Sequence, residues 1–239
     1  MTPEEQALKT MAAIQNGDLD TLAALLEADP GLAASRLAGR GGGRTPLHVV
    51  ADWPGYFPNG PRAASMLIDA GAVVDDRGAS HPEGETPLHW TASNDDVDVA
   101  VVLIDAGADI EAPAGSIGTP LSNAVGYACW HVARLLVTRG ARVDLPWHAA
   151  ALGMLDRLEE LLAAGPTEPA TISQAFWHAC SGGQRRAAQL LLDLGADLNW
   201  EPDYAPGTTP LDAARGRGTR RSNVIGWLEG LGARSQGSH

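Results

Sequence analysis

Thr86-Pro87-Leu88-His89, followed by Val102-Leu103-Ile104-Asp105-Ala106-Gly107-Ala108, is the stretch whose reading decides the fold. Both phrases return 33 residues later, as Thr119-Pro120-Leu121-Ser122 and Leu135-Leu136-Val137-Thr138-Arg139-Gly140-Ala141. Working outward, the first phrase stands again at Thr45-Pro46-Leu47-His48 and Thr209-Pro210-Leu211-Asp212. The second stands at Met66–Ala72, Leu190–Ala196 and Trp227–Ala233. Threonine caps a helix N-terminus, and proline suits the first helical position because its missing N–H has no intrahelical partner there. A glycine after an apolar run ends a second helix through the left-handed conformation. Each unit therefore reads as helix, turn, helix, repeated at a fixed period.

Two degenerate units carry the same plan. Trp147-His148-Ala149-Ala150-Ala151-Leu152-Gly153 leads into Leu158–Gly165, and Phe176-Trp177-His178-Ala179-Cys180 leads into the Leu190 run. Ile14–Asp20 with Leu22–Leu26 forms a partial unit at the N-terminus. The 33-residue period and the Thr-Pro-Leu-His phrase resemble the ankyrin-repeat family over nearly the whole chain. The resemblance implies an all-α solenoid of about seven stacked units in a single domain, residues 1–234. Its caps fall at about 4–39 and 206–234, and residues 235–239 form a tail. It also implies that His48 and His89 bond to the neighbouring repeat, and that a protein or peptide partner lies on the concave face lined by the first helices.

Departures from the period mark candidate function. Thr45 to Gly71 spans 26 residues where Thr86 to Gly107 spans 21, an insertion of five between the helices of that unit. The inserted region, Trp53-Pro54-Gly55-Tyr56-Phe57-Pro58-Asn59-Gly60-Pro61, carries three aromatics, which are costly on a loop unless they cover something. The linker from Asp75 to Glu85 is long and polar. Aligning the units on their terminal glycines puts Val49, Trp90, Asn123, His148, His178 and Ala213 at one groove-side slot. Asp52, Trp53 and Tyr127 lie a turn further along. The expected binding stripe, for a protein or peptide partner or a small organic ligand, is therefore Trp53, Tyr56, Trp90, Asn123, Tyr127, His148 and His178, with Trp200 and Tyr204 at its far lip. Trp147 and Trp177 take the histidine slot of their own repeats and are read as packing, as are Trp130 and Trp227.

Chemistry is sparsely signalled. No Walker loop, Gly-x-Ser-x-Gly elbow, His-Glu-x-x-His or paired Cys-x-x-Cys occurs. His148, His178 and Asp52 are the candidate acid–base residues of an alternative reading, a small-molecule enzyme with an aromatic-lined pocket. Neither a metal nor a cofactor is expected. A formal net charge of −12 argues against nucleic acid and anionic membranes. The run Arg215, Arg217, Arg220, Arg221 reads as a solvated edge. No apolar run reaches the roughly 20 residues of a membrane span. The acidic start lacks a signal peptide's pattern, and two cysteines among 239 residues fit a reducing cytoplasm. The Arg-, Ala- and Gly-rich usage is that of GC-rich bacterial coding, and a monomer is expected.

Overall fold

The structure, a computed structural model, describes residues 1–38, 43–78, 84–113, 117–165, 167–216 and 221–236. Arg217, Arg220, part of the Asp75–Glu85 linker and the last three residues of the tail lie outside them. The described residues contain helices and turns but no strand. They form two compact units, Met1–Ala141 and Arg142–His239.

The first unit holds four helix pairs: α1 (Pro3–Asn16) with α2 (Leu19–Ala28), α3 (Pro46–Val50) with α4 (Gly60–Asp69), α5 (Pro87–Asn94) with α6 (Val97–Asp105), and α7 (Pro120–Gly126) with α8 (Trp130–Thr138). First helices pack on first helices, α5 on α7, and second helices on second, α4 on α6 and α6 on α8. The second unit repeats the plan with α9 (Pro146–Leu152) and α10 (Leu155–Ala163), α11 (Pro169–Ser181) and α12 (Arg185–Asp193), and α13 (Pro210–Ala214) and α14 (Ser222–Gly230). This is the all-α repeat architecture that the period predicts, with seven helix pairs among the described residues.

The repeated phrases do the mechanical work assigned to them. Thr45 and Thr86 precede the prolines that open α3 and α5 in extended backbone, and each shares its hydroxyl and its backbone N–H with the histidine three residues on. In this box His48 Nδ1 and His89 Nδ1 accept. The Nε2–H of each then donates across to the next repeat, His48 to Glu85 O and His89 to Gly118 O, both at 3.0 Å. At the far end of α6, Gly107 turns left-handed at φ 90°. Its N–H bonds Ile104 O and that of Ala108 bonds Leu103 O, so the last carbonyls of the helix are satisfied. Between the caps runs a ladder of fully buried leucines: Leu67, Leu103 and Leu136 in the first unit, Leu158, Leu191 and Leu228 in the second.

Candidate functional site

The inserted loop of the first unit is pinned. Asn94, at the end of α5, donates its amide to Ala51 O (2.8 Å) and Asp52 O (3.2 Å). Tyr56 N–H donates to Asp96 Oδ2 at 2.6 Å, and the Tyr56 hydroxyl donates to Asp95 O. Asn59 Nδ2 reaches back to Gly17 O at 2.9 Å. A Cβ on Gly55, where φ is +76°, would stand 3.0 Å from the Asn94 side chain, so this position holds glycine for both conformation and closeness. The loop thus lies along its neighbours while Trp53 remains 79% exposed.

Beside the loop is a cleft of about 240 Å³, lined by Ala51, Asp52, Trp53, Glu85, Trp90, Ser93, Asn94 and Tyr127. Four predicted site residues, Asp52, Trp53, Trp90 and Tyr127, come together here. Trp90 is half-buried, with His48 edge-on at 5.1 Å and the Arg44 guanidinium 5.9 Å above its ring. Asp52 does not fit the acid–base role: one oxygen pairs with Arg44 Nη1, and the other accepts the Trp53 N–H at 2.8 Å. Tyr56 is drawn to the α5–α6 turn instead of the cleft. Asn123 is fully buried rather than open to a ligand, and its amide donates to Glu85 Oε1 (2.8 Å) and Ser93 Oγ (3.2 Å).

The second unit holds the histidines, and there the expectation of an open groove wall fails. His148 and His178 are each only 3% exposed. Trp147 stands between them, 4.1 Å from the His148 ring and 4.6 Å from that of His178. Tyr204 folds over His178 with its ring at 6.4 Å and its hydroxyl 3.1 Å from Nε2. Burial pushes the His148 imidazole down to about 4, against a small opposing pull from Asp144. Burial, helped by neighbouring His148, pushes His178 down to about 3. Both rings are therefore neutral near pH 7 and shielded from solvent, an arrangement for packing more than for proton transfer. Trp200 is half-buried and makes no ring contact with this cluster among the described residues.

Residues 10–114 match the family model described as ankyrin repeats (3 copies). Over those residues the chain carries ankyrin repeats. Among curated proteins it is 30% identical over 165 residues to an ankyrin repeat and KH domain-containing protein of Caenorhabditis briggsae, covering 65% of this chain and 6% of that protein. It is 40% identical over 80 residues to protein fem-1 homolog A of Danio rerio, covering 30% and 12%. With ankyrin repeat and KH domain-containing protein 1 of Homo sapiens the match is 35% over 91 residues, covering 37% and 4%. The chain therefore spans only a small part of the relatives it matches. No helix among the described residues is long and apolar enough to cross a membrane.

The ankyrin register shows why one slot misled. The residues at Val49, Asn123, His148 and His178 are buried against neighbouring first helices, and only Trp90 opens toward the cleft. Glu85, which shapes that cleft, did not figure among the expected site residues. Its signal was its place immediately before the capping threonine, the slot Arg44 holds in the preceding repeat. That position runs beside the first helix, so a charge there is delivered to the same side as the Trp90 ring.

Proposed function

We propose that the chain is a binding module whose first unit grips a protein or peptide segment across the cleft of Trp53, Trp90 and Tyr127. Ankyrin repeats are in general protein-interaction modules, and the observation that carries this reading here is Trp53. A large indole left 79% exposed gains nothing by being exposed, and the loop that bears it is already fixed by Asn94, Asp95 and Asp96. The ordering cost that a mobile binding loop meets on association is thus met in the folded chain. Indoles and phenols bring large contact area at small entropic cost, and binding energy concentrates on such side chains.

The test is panning of a random peptide display library on the intact chain, followed by titration of the selected peptides. Trp53→Ala should weaken their binding by about 1–4 kcal/mol with the melting temperature nearly unchanged. Trp90→Ala should lower both affinity and melting temperature, because Trp90 also packs against His48 and Arg44. Selected peptides that bind wild type and Trp53→Ala equally would refute the assignment.

A further inference from the structure

The cleft has a charge and a donor–acceptor sense that generic aromatic stickiness does not explain. The first unit contains 8 Lys and Arg against 18 Asp and Glu, a formal −10 of the chain's −12. A carboxylate, Glu85, lies in the cleft wall and is half-buried. It is held in place from behind: the buried Asn123 amide donates to its Oε1 at 2.8 Å. Asn123 also donates to Ser93 Oγ at 3.2 Å, while its own Oδ1 has no hydrogen-bond partner among the described residues. Asn123 is fully buried, so it is a positioning residue that spends its donors on fixing acceptors, and leaves a further buried acceptor beside them.

The cleft also displays how it treats a cation. Arg44 places its guanidinium between the Asp52 carboxylate and the Trp90 ring, 5.9 Å from the ring centroid. That arrangement joins a charge-assisted hydrogen bond to a cation–π contact. Asp52 is thereby matched within the molecule, whereas no cationic side chain forms an ion pair with Glu85 among the described residues. Glu85 faces the same cleft as Trp53 and Tyr127, and both rings are more than half exposed. A carboxylate with open aromatic faces and no counter-ion among the described residues wants a cation from outside.

Resting on the peptide-binding reading above, we propose that the cleft takes an arginine or lysine side chain of a basic segment in a protein partner. Glu85 is its counter-ion, Trp53 and Tyr127 are its aromatic walls, and Asn123 holds Glu85 in place. An excess of ten negative charges on the unit steers such a segment toward the cleft and repels acidic ones.

The experiment uses the intact chain and the peptides selected by panning. Selected peptides should share one Arg or Lys, and its replacement by citrulline or norleucine should weaken binding about tenfold or more. Glu85→Gln keeps the shape and the acceptor for Asn123, so circular dichroism and the melting temperature should hold. It should bind the charged and neutral peptides more nearly alike, with a weaker salt dependence than wild type, the rest coming from the unit's remaining negative charge. Citrulline or norleucine peptides binding wild type as tightly as their Arg or Lys parents would overturn the cation assignment. If those same peptides still depend on Trp53, the peptide-binding reading stands without it. Recovery of no Trp53-dependent peptide would overturn both. The comparison of peptides on wild type remains decisive if Glu85→Gln should fail to fold.

Discussion

Trp177 donates its indole Nε1–H to Thr208 O at 2.9 Å, and Thr208 stands just before the capping Thr209. His48 and His89 make the equivalent bond, to Glu85 and Gly118, each just before a capping threonine position of the next repeat. An indole thus does the work of an imidazole: both present one N–H on a flat ring from the first helix of a repeat, His48 and His89 from its third residue and Trp177 from its ninth. Removing either donor leaves a partly buried carbonyl without its bond. His89→Ala should cost about 1–3 kcal/mol in denaturant titration. Trp177→Phe, which keeps the ring, should cost about 1 kcal/mol. A His89→Ala chain as stable as wild type would mean that water replaces the bond freely. The role of these two slots was legible because the phrase Thr-Pro-Leu-His names its own partners. The neighbouring slot was not, because whether His148 or Asn123 meets solvent depends on how closely successive first helices approach. Gly182 shows how close that is: a Cβ there would lie 2.1 Å from Ala151 O. No period in the sequence reports such a distance.

Helices here borrow caps across repeats. The N-cap of α8, Cys129, offers no side-chain hydrogen bond to the first turn of its helix. Asp95, from the α5–α6 turn one repeat earlier, fills the gap: its Oδ1 accepts from His131 N (3.0 Å) and Val132 N (2.9 Å), and its Oδ2 meets His131 Nδ1 at 2.6 Å. Asp95→Ala should therefore cost about 1 kcal/mol, by a cap and a dipole partner lost from a helix in another repeat. The same aspartate carries the carbonyl that receives the Tyr56 hydroxyl, so the inserted loop and α8 are tied to one turn. A larger loss follows from the core. Leu103 is fully buried in the last turn of α6, and Leu103→Ala should cost about 2–5 kcal/mol. A near-zero change on chemical denaturation would place α6 in the wrong register. The helices themselves were readable from capping threonines, prolines and terminal glycines, because those act within a few residues. The Asp95 cap was not, since it joins residues 36 apart that only the stacked repeats bring together.

At the scale of the molecule, the chain's response to acid follows from where its histidines sit. His48 and His89 lie buried in the first unit, and burial lowers the affinity of each for a proton, against weaker pulls from the carbonyls they bond. His148 and His178 lie buried in the second, lowered to about 4 and about 3. Unfolded, each imidazole returns to its ordinary value of about 6.5. Between those limits the unfolded chain binds more protons than the native one, so lowering the pH favours unfolding. The stability held by His148 and His178 is complete above about pH 6.5 and erodes as the pH falls toward about 4, by up to about 1.4 kcal/mol per pH unit for each ring. The groups facing this pair are Asp144, which opposes the shift of His148, and the Tyr204 hydroxyl, which stays neutral throughout. Carboxylates whose affinity is lowered in the native state, Asp18 and Asp212, act in the same direction but below their ordinary value of 3.8, outside this window. Unfolding free energies measured by urea titration from pH 7.5 to 4.5 should therefore fall steeply. His178→Gln should reduce the slope by about one proton per molecule, whatever it does to stability at pH 7.5. An unchanged slope in that variant would show that His178 is protonated in the native chain, and that the buried ring cluster of the second unit opens to solvent.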